Sequence, residues 1–159
     1  MSIILSPPEP GDMGWIISKH GEIYAREFGI GEPFELDIAA KVTAFYQKKD
    51  FFRHLFIARV GGKRAGSIAV STLSRTTGFI NFLLVVPKFR NQGLAQHLIS
   101  HVIEISRAQG LGRLRLETYG CLVGARRLYA KNGFKILETQ SDFNAYGQNF
   151  DREFWECAI

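Results

Sequence analysis

The segment that most constrains the fold is an apolar run followed at once by a basic, glycine-bearing loop and an amphipathic helix. Residues 79–86 are apolar except for Asn81, which predicts a strand buried on both faces. Apolar residues then recur with helical spacing from Leu94 to Ile105, and Gly110 stands where a glycine commonly follows a helix end. This order puts the loop at a helix N-terminus, where unpaired backbone N–H groups and the helix dipole favour anions.

The loop itself carries the chemistry needed to hold a phosphate group. Arg90 offers a planar fork of donors that suits phosphate oxygens. Gly93 lets a ligand approach the backbone closely, because it has no Cβ. These features predict a site for a pyrophosphate, although Arg90 could also be an ordinary surface residue and Gly93 an ordinary turn residue.

Two motifs carry a resemblance to a known family. The loop Arg90-Asn91-Gln92-Gly93-Leu94-Ala95 resembles the R/Q-x-x-G-x-G/A loop that binds the coenzyme A pyrophosphate in the GNAT superfamily of N-acetyltransferases. Residues 125–134, which read Ala-Arg-Arg-Leu-Tyr-Ala-Lys-Asn-Gly-Phe, resemble the A-x-x-L-Y-x-x-x-G-F segment of the same family. Together the motifs span the central third of the chain. The resemblance implies an acyltransferase that uses acetyl-CoA as its cofactor.

The predicted elements follow the order β-α-α-β-β-β-α-β-α-β-β, which is the order of the GNAT fold. The resemblance therefore implies an α/β (α+β) fold with a mixed, mostly antiparallel sheet of about seven strands and flanking helices. Asp12 is expected to cap the first helix, and residues 61–64 and 76–78 to form turns. The expected strands are 3–5, 55–60, 65–73, 79–86, 113–119, 134–140 and 149–157, and the helices begin near residues 12, 33, 94 and 123.

Composition narrows the class of protein. The 159 residues fit one domain spanning 1–159, and 20 Lys and Arg against 15 Asp and Glu give a net charge of +5. The cations are scattered along the sequence, so we expect no nucleic-acid partner.

Cys121 and Cys157 have neither metal-ligand spacing nor a disulfide framework, which predicts no metal and a reduced, cytoplasmic location. No apolar stretch predicts a membrane span, and the last strand could be an exposed edge that pairs in a homodimer.

A narrower resemblance concerns the two ends of the chain. Residues 11–29, from Gly11 to Gly29, resemble the start of the acetyltransferase domain found fused behind MarR-type winged-helix regulators. Residues 146–156 resemble the final segment of the same domain. The resemblance implies that this chain is such a domain standing alone.

Acetyl transfer to an amine requires a held cofactor, a route for the amine proton and a donor for the departing thiolate. The resemblance implies that Tyr129 is that donor, although Tyr129 could be an interior aromatic residue. Glu117 on the strand 113–119 is a candidate base, but a carboxylate at a solvated strand position is common. Asn81, on the same predicted face as Leu83 and Val85, could orient a water or the acceptor, or be a structural amide.

The resemblance also implies the residues that hold the cofactor. A backbone N–H around Val85 would polarise the thioester carbonyl. This chain departs from the family pattern in two places. The family often has an asparagine at the position of Leu122. It also often has an acidic residue near Asn81, where this chain has none. The predicted cofactor-binding residues are Leu84, Val85, Val86, Arg90, Asn91, Gln92, Gly93, Leu94, Ala95, Leu122, Ala125 and Tyr129.

The resemblance also implies that the first helix lines the acceptor pocket. His20 could titrate there, although a histidine on an apolar helix face is more often structural. The aromatic residues of the region could equally belong to the core. The predicted substrate-pocket residues are Trp15, His20, Tyr24, Phe28 and Tyr119.

The sequence thus predicts an acetyl-CoA-dependent N-acetyltransferase that acts on a primary amine of a small molecule or peptide by direct attack. Cys121 is disfavoured as an acyl-enzyme nucleophile, because no neighbouring residue in the sequence would activate it. The alternative from another class is a non-catalytic acyl-CoA sensor or regulatory module, which the missing acidic residue near Asn81 supports.

Overall fold

The structure is a computed structural model that describes residues 2–159. In this part of the chain the strands are β1 Ile3–Ser6, β2 His54–Val60, β3 Lys63–Thr72, β4 Thr77–Val85, β5 Arg113–Tyr119, β6 Lys135–Ala145 and β7 Gln148–Ala158. The α-helices are α1 Asp12–Phe28, α2 Glu32–Gln47, α3 Leu94–Gln109 and α4 Val123–Lys131, and a short 3-10 helix spans Pro87–Phe89. The predicted order of elements is confirmed.

The strands join one mixed sheet in the order β1-β2-β3-β4-β5-β7-β6. β4 and β5 are parallel, and the other neighbouring pairs are antiparallel. Parallel neighbours need a crossover connection, and α3 provides it. The predicted GNAT fold, with a mostly antiparallel sheet of about seven strands, is therefore confirmed.

Helices cover both faces of the sheet. Ile16 of α1 and Phe34 of α2 belong to one buried cluster, and Leu98 of α3 and Tyr129 of α4 belong to the other. Successive residues of a strand point to opposite faces, so the central strands contribute apolar side chains to both clusters. Apolar residues recur with helical spacing in the sequence of α2, which predicts a buried stripe, and the structure confirms it because all the members are buried: Phe34, Ile38, Val42 and Phe45.

Asp12 does not cap α1 as predicted. Gly11 occupies the N-cap position, and Asp12 is the first, fully buried residue of the helix. Its carboxylate accepts hydrogen bonds from Arg64 at 2.7 Å and from Arg59 at 3.0 and 3.1 Å. Burial raises the pKa of Asp12, but the hydrogen bonds from the Glu9 N–H, Arg64 and Arg59 leave it below its ordinary value. The carboxylate therefore joins α1 to the hairpin of β2 and β3.

The turns are tighter than the sequence suggested. Gly61 and Gly62 form the β2–β3 turn, with φ angles of 58° and 77° that suit glycine, and Lys63 already belongs to β3. Thr77 and Gly78 belong to β4 and not to the turn before it. In both places strand pairing extends the strand into residues whose composition is typical of turns.

The last strand lies inside the sheet, which corrects the prediction of an exposed edge. β7 pairs with β5 on one side and with β6 on the other, because the β6–β7 hairpin folds back onto β5. β6 forms the edge, and its Ile136 and Leu137 are exposed. The homodimer stays a prediction.

Within residues 2–159 no helix combines the length and the apolar character needed to cross a membrane.

Candidate active site

The parallel strands β4 and β5 separate partway along their length. They form three residue pairs, the last between Phe79 and Arg115, and within residues 2–159 none after it. The remaining parts of the strands, residues 80–85 and 116–119, line a cavity of about 670 Å³. Helices α1 and α2 line it from one layer, and α3 and α4 line it from the other. Backbone groups along the separated edges can therefore bind a ligand.

A β-bulge bends β4 where it lines the cavity. Ala69 of β3 pairs with Asn81, and Ser67 pairs with Leu84, so two residues of β4 oppose one of β3. Phe82 within the bulge has a φ of 56°, which is uncommon for a bulky side chain. The buried Ser67 hydroxyl donates a hydrogen bond of 2.6 Å to the Phe82 carbonyl and so satisfies it.

The bulge corrects the prediction that Asn81 shares a face with Leu83 and Val85. Asn81 lies opposite Ala69, which belongs to the cluster beneath α1 and α2. Leu83 and Val85 pack against the cluster beneath α3 and α4. An extra residue in a strand reverses the alternation of its side chains, which explains the difference. Asn81 therefore lines the cavity from the layer of α1 and α2.

The loop after β4 leaves space for an anion. Gly93 is the N-cap of α3 with a φ of 79°, and a Cβ there would have no atom beyond its chain neighbours within 4 Å. Among the described residues no side chain caps this helix, so the N–H groups of its first turn need another partner. Gly93, Leu94 and Ala95 line the cavity, as does Asn91, whose φ is 59°.

Arg90 joins this loop to α1. Its guanidinium forms an ion pair with Glu27 at 2.8 Å and donates a hydrogen bond to the Val85 carbonyl at 3.3 Å. Both charged side chains are partly exposed, so solvent weakens their attraction. An anion bound at the loop would compete with Glu27 for the Arg90 donors.

Phenol groups from both layers meet at the cavity. Tyr129 of α4 and Tyr24 of α1 both line it, and burial raises the pKa of both. Tyr129 and Tyr119 raise the pKa of Tyr24 further, because neighbouring phenolates would repel one another. Burial also raises the pKa of Tyr119, to about 12. These phenols are therefore neutral hydrogen-bond donors at neutral pH.

Glu117 lines the cavity but is engaged in an ion pair. Arg152 of β7 donates a hydrogen bond of 2.6 Å from Nε to its carboxylate. This bond is the main reason for the raised pKa of Arg152. The Arg152 guanidinium therefore occupies part of the Glu117 carboxylate.

His20 is buried against the cavity in its neutral form. Burial lowers its pKa to about 4, with a smaller contribution from the positive charge of Lys41. Its Nδ1 lies 2.7 Å from the Ile16 carbonyl, which only accepts, so the proton of the neutral ring belongs on Nδ1. The lone pair of Nε2 is then available as an acceptor.

Most of the predicted site residues line the same cavity, although they come from five elements and two loops. The structure brings together Asn81, Glu117, Tyr129, Leu84, Val85, Arg90, Asn91, Gly93, Leu94, Ala95, Leu122, Ala125, His20, Tyr24, Phe28 and Tyr119.

Trp15, Val86 and Gln92 lie outside the cavity. Trp15 is one position from Ile16, which turns it by about 100° around the helix onto another face of α1. The Val86 N–H donates to the Ala65 carbonyl at 2.9 Å, which directs it into the sheet. The Gln92 side chain donates to the Lys88 carbonyl at 3.4 Å.

Several residues that line the cavity carry no signal in the sequence for that position. Phe34 and Ile38 belong to the buried stripe of α2, but their contact with the cavity depends on how α2 packs. Glu27 and Lys41 carry no motif, and their charged side chains are usual on exposed helix faces. Thr118, Cys121 and Phe82 also line the cavity.

A second depression corrects the view that the cations are scattered. Trp15 and six cations from α1, the β2–β3 hairpin and the segment after β4 line it, and the cations are Lys19, Arg26, Arg59, Lys63, Arg64 and Lys88. Glu22 pairs with Lys19 and Arg26, and Asp12 pairs with both arginines of the hairpin. Much of the positive charge is therefore neutralised within the molecule.

Comparison with family models connects this geometry to known proteins. The model of the Acetyltransferase (GNAT) family matches residues 18–134, more than half of the chain. The chain belongs to the GNAT family of acetyltransferases. The matched residues include the whole of β4, the loop, α3, β5 and α4, and the predicted family and enzyme class are confirmed. No curated protein sequence gives a significant match.

Solved structures share the fold at low sequence identity. A ribosomal-protein-alanine N-acetyltransferase from Brucella melitensis is 14% identical, with a TM-score of 0.78 and coverage of 98% of this chain and 99% of that one. A GNAT acetyltransferase from Staphylococcus aureus is 18% identical, with a TM-score of 0.78 and 99% coverage of both chains. One from Elizabethkingia anophelis, determined with acetyl-CoA bound, is 18% identical, with a TM-score of 0.68 and coverage of 99% and 98%.

Proposed function

We propose that this protein is an acetyl-CoA-dependent N-acetyltransferase that acts on a primary amine of a small molecule or peptide by direct attack. The observation that carries the proposal is the separation of β4 and β5 directly before the phosphate loop. The GNAT family membership supports it, as does the acetyl-CoA in the Elizabethkingia relative.

The residues present fit coenzyme A. The open space at Gly93 and the uncapped first turn of α3 suit a pyrophosphate, and Arg90 stands beside them. The separated edge of β4 suits the amides of a pantetheine arm. When bound, acetyl-CoA supplies an activated acyl group, so that an amine C–N bond forms as the C–S bond breaks, the amine loses a proton and the thiolate gains one.

Tyr129 is the proposed donor to the departing sulfur. Burial keeps its phenol protonated through the neutral range. An ordinary thiol has a pKa of ~8.5, below that of any phenol here, so complete proton transfer is uphill. The favoured role is therefore hydrogen-bond donation to the developing thiolate. Burial also raises the pKa of Cys121, which disfavours an acyl-enzyme on that thiol.

The β4 bulge is the proposed position of the group that polarises the acyl carbonyl. Phe82 and Leu83 together oppose one residue of β3, so the regular ladder of hydrogen bonds is interrupted there. A backbone N–H that is not used in a ladder can donate to a developing oxyanion. This assignment places the donor earlier in β4 than Val85.

His20 is proposed to accept a hydrogen bond from the amine N–H, directly or through a water; its low pKa makes complete proton transfer to it unfavourable, so the proton passes to solvent. Its imidazole is neutral above a pKa of about 4, so the Nε2 lone pair is available at neutral pH. Arg152 engages Glu117, which makes that carboxylate the weaker choice. Asn81 lines the cavity from the layer of His20 and is proposed to orient the amine.

We also propose a narrower kinship with the acetyltransferase domains fused behind MarR-type regulators. Its two resembling segments, residues 11–29 and 146–156, contact each other, since the Gln148 side chain donates to the Gly29 carbonyl at 3.1 Å. An alignment with such domains that leaves either segment unmatched would contradict it.

Residues 1–159 are proposed to form one domain, because β1, β6 and β7 complete the sheet of the matched region.

The decisive test is calorimetry with acetyl-CoA, followed by thiol release with a panel of amines. We expect saturable binding by the wild type. Arg90→Ala should weaken binding about tenfold, because a hydrogen bond to a charged group contributes ~1.5–3 kcal/mol. Gly93→Glu should abolish binding, since it places a strained, negative side chain in the phosphate site. Tyr129→Phe should retain binding and lower kcat.

The matched control is Arg75→Ala, which removes an exposed arginine of the β3–β4 loop and should change nothing. Absence of saturable acetyl-CoA binding by the wild type would overturn the proposal, including the assigned cofactor and mechanism. Binding without thiol release from any amine would instead favour the non-catalytic acyl-CoA sensor.

A further inference from the structure

Two cations that line the cavity form no ion pair within residues 2–159, and they lie on its two sides, Lys131 on α4 and Lys41 on α2. Lys41 of α2 lines the cavity and is exposed. Within residues 2–159 it forms no ion pair at 4.0 Å or less, unlike the two carboxylates of the same cavity. Its ammonium is therefore available to a ligand that enters from the layer of α1 and α2.

The carboxylates of the cavity are already neutralised. Glu27 pairs with Arg90 at 2.8 Å, and Glu117 pairs with Arg152 at 2.6 Å. A second cation, such as an additional ammonium group of a substrate, finds no unpaired carboxylate on this side of the cavity. On the side of α1 and α2, the charge left without a partner is the positive charge of Lys41.

Lys41 acts on the group proposed to meet the amine. Its charge lowers the pKa of His20, after the larger effect of burial. Both side chains line the same cavity, whose volume is about 670 Å³. A ligand group at Lys41 and a nitrogen atom at His20 are therefore close enough to belong to one small molecule.

The part of the cavity wall formed by α1 and α2 is largely apolar. Tyr24 stacks on Phe34 with ring centroids 4.5 Å apart, and Phe28 meets the edge of Tyr24 at 5.6 Å. Ile38 lies one turn from Phe34 on α2 and lines the same wall. This surface suits an aliphatic or aromatic side chain better than a second charge.

We propose that the acceptor is an amine that also carries a carboxylate, such as an amino acid with an apolar side chain. This inference rests on the proposed function and specifies its substrate class. The carboxylate binds the Lys41 ammonium, the apolar side chain packs on the Tyr24 and Phe34 wall, and the amine points to His20. Polyamines and lysine-rich peptides are disfavoured, because their extra ammonium groups would meet Lys41.

The test compares amines that differ only in the carboxylate. Thiol release is measured at saturating acetyl-CoA with phenylalanine, phenylalanine amide, methionine, methionine amide and spermidine. We expect kcat/KM for the amino acids to exceed that for their amides about tenfold, as a hydrogen bond to a charged group allows. The difference is informative because the amides, whose amines are less basic, are intrinsically the better nucleophiles at neutral pH.

Lys41→Met should raise the KM for the amino acids about tenfold and leave the amides unchanged. Lys41→Glu should shift the preference to spermidine. Lys49→Met, which removes an exposed lysine just beyond α2, is the matched control and should have no effect. All three variants should bind acetyl-CoA as the wild type does.

The outcomes separate this inference from the proposed function. Equal kcat/KM for amino acids and amides, or a Lys41→Met variant with unchanged KM, overturns the inference and leaves acetyl transfer standing. Acetyl-CoA binding with no turnover of any amino acid overturns it as well. A wild type that does not bind acetyl-CoA overturns both.

Discussion

At the scale of single residues, Arg90 has two partners of the same charge. In this structure it pairs with Glu27, and under the proposed function it also binds the pyrophosphate. A guanidinium can serve both only in part, because its donors are limited in number and direction. Glu27 therefore both holds Arg90 at the loop and competes for it.

Removing the charge of Glu27 should strengthen cofactor binding. Glu27→Gln keeps the shape of the side chain and is expected to increase the affinity for acetyl-CoA about two- to fivefold, because a partly exposed ion pair contributes ~0.2–1 kcal/mol. Calorimetry at low salt measures the effect. The control is Glu104→Gln, an exposed residue of α3 away from the loop. Weaker binding by Glu27→Gln would show that the pair mainly positions Arg90.

Single residues were predictable where a motif marks them. Arg90, Gly93 and Tyr129 stand in recognisable strings, and all of them line the cavity. Glu27 and Lys41 have no such signal, since a charged residue on a helix is usually only solvated. Their place at the cavity depends on which face of α1 and α2 meets the sheet.

At the scale of elements, the bulge of β4 determines which side chains face each layer. The Ser67 hydroxyl holds the bulge by donating to the Phe82 carbonyl, and Ser67 is fully buried. The apolar segment 79–86 contains no residue that indicates a bulge. Periodicity therefore predicted the strand correctly but placed Asn81 on the wrong face beside Leu83.

Ser67→Ala should destabilise the protein. It leaves the buried Phe82 carbonyl without its donor, at an expected cost of about 1–3 kcal/mol in the free energy of unfolding. Urea denaturation followed by circular dichroism measures the loss. Ser71→Ala, at a half-buried position of the same strand, is the control and should cost less. Equal stability of Ser67→Ala and wild type would show that the bulge does not need this bond.

At the scale of the whole molecule, buried His20 couples stability to pH. Its pKa is about 4 in the folded protein against 6.5 for the ordinary group, so between these values the unfolded chain binds a proton that the folded protein does not. Stability is therefore fully present above pH 6.5 and falls as the pH drops toward 4. The pKa difference corresponds to about 3 kcal/mol.

Denaturant unfolding between pH 7 and about 4 checks this dependence. His20→Gln should reduce the dependence of the free energy of unfolding on pH, whatever its effect on stability at pH 7. His54→Gln is the comparison, because burial also lowers the pKa of His54, which lies less deeply in the protein. Below this window the lowered pKa values of Asp12, Asp50 and Glu156 add a further loss of stability. An unchanged slope in His20→Gln would contradict the prediction.

The order of elements, the buried stripe of α2 and the phosphate loop were determined by the sequence alone. Each depends on residues close together in the chain, such as the periodic Phe34 to Phe45 stripe or the glycine that begins α3. Local signals of this kind can be interpreted without knowing the tertiary contacts of the segment, because periodicity and backbone freedom are properties of short segments.

Only the tertiary structure decided the ion pairs and the bulge. It also decided that Trp15 lies outside the cavity and that Lys41 lines it. Arg90 and Glu27 are 63 residues apart, and Arg64 and Asp12 are 52 apart. Such contacts follow from how layers pack around the sheet, and no short segment contains that information. The charges available to a substrate are therefore those that remain after the folded chain has paired the others.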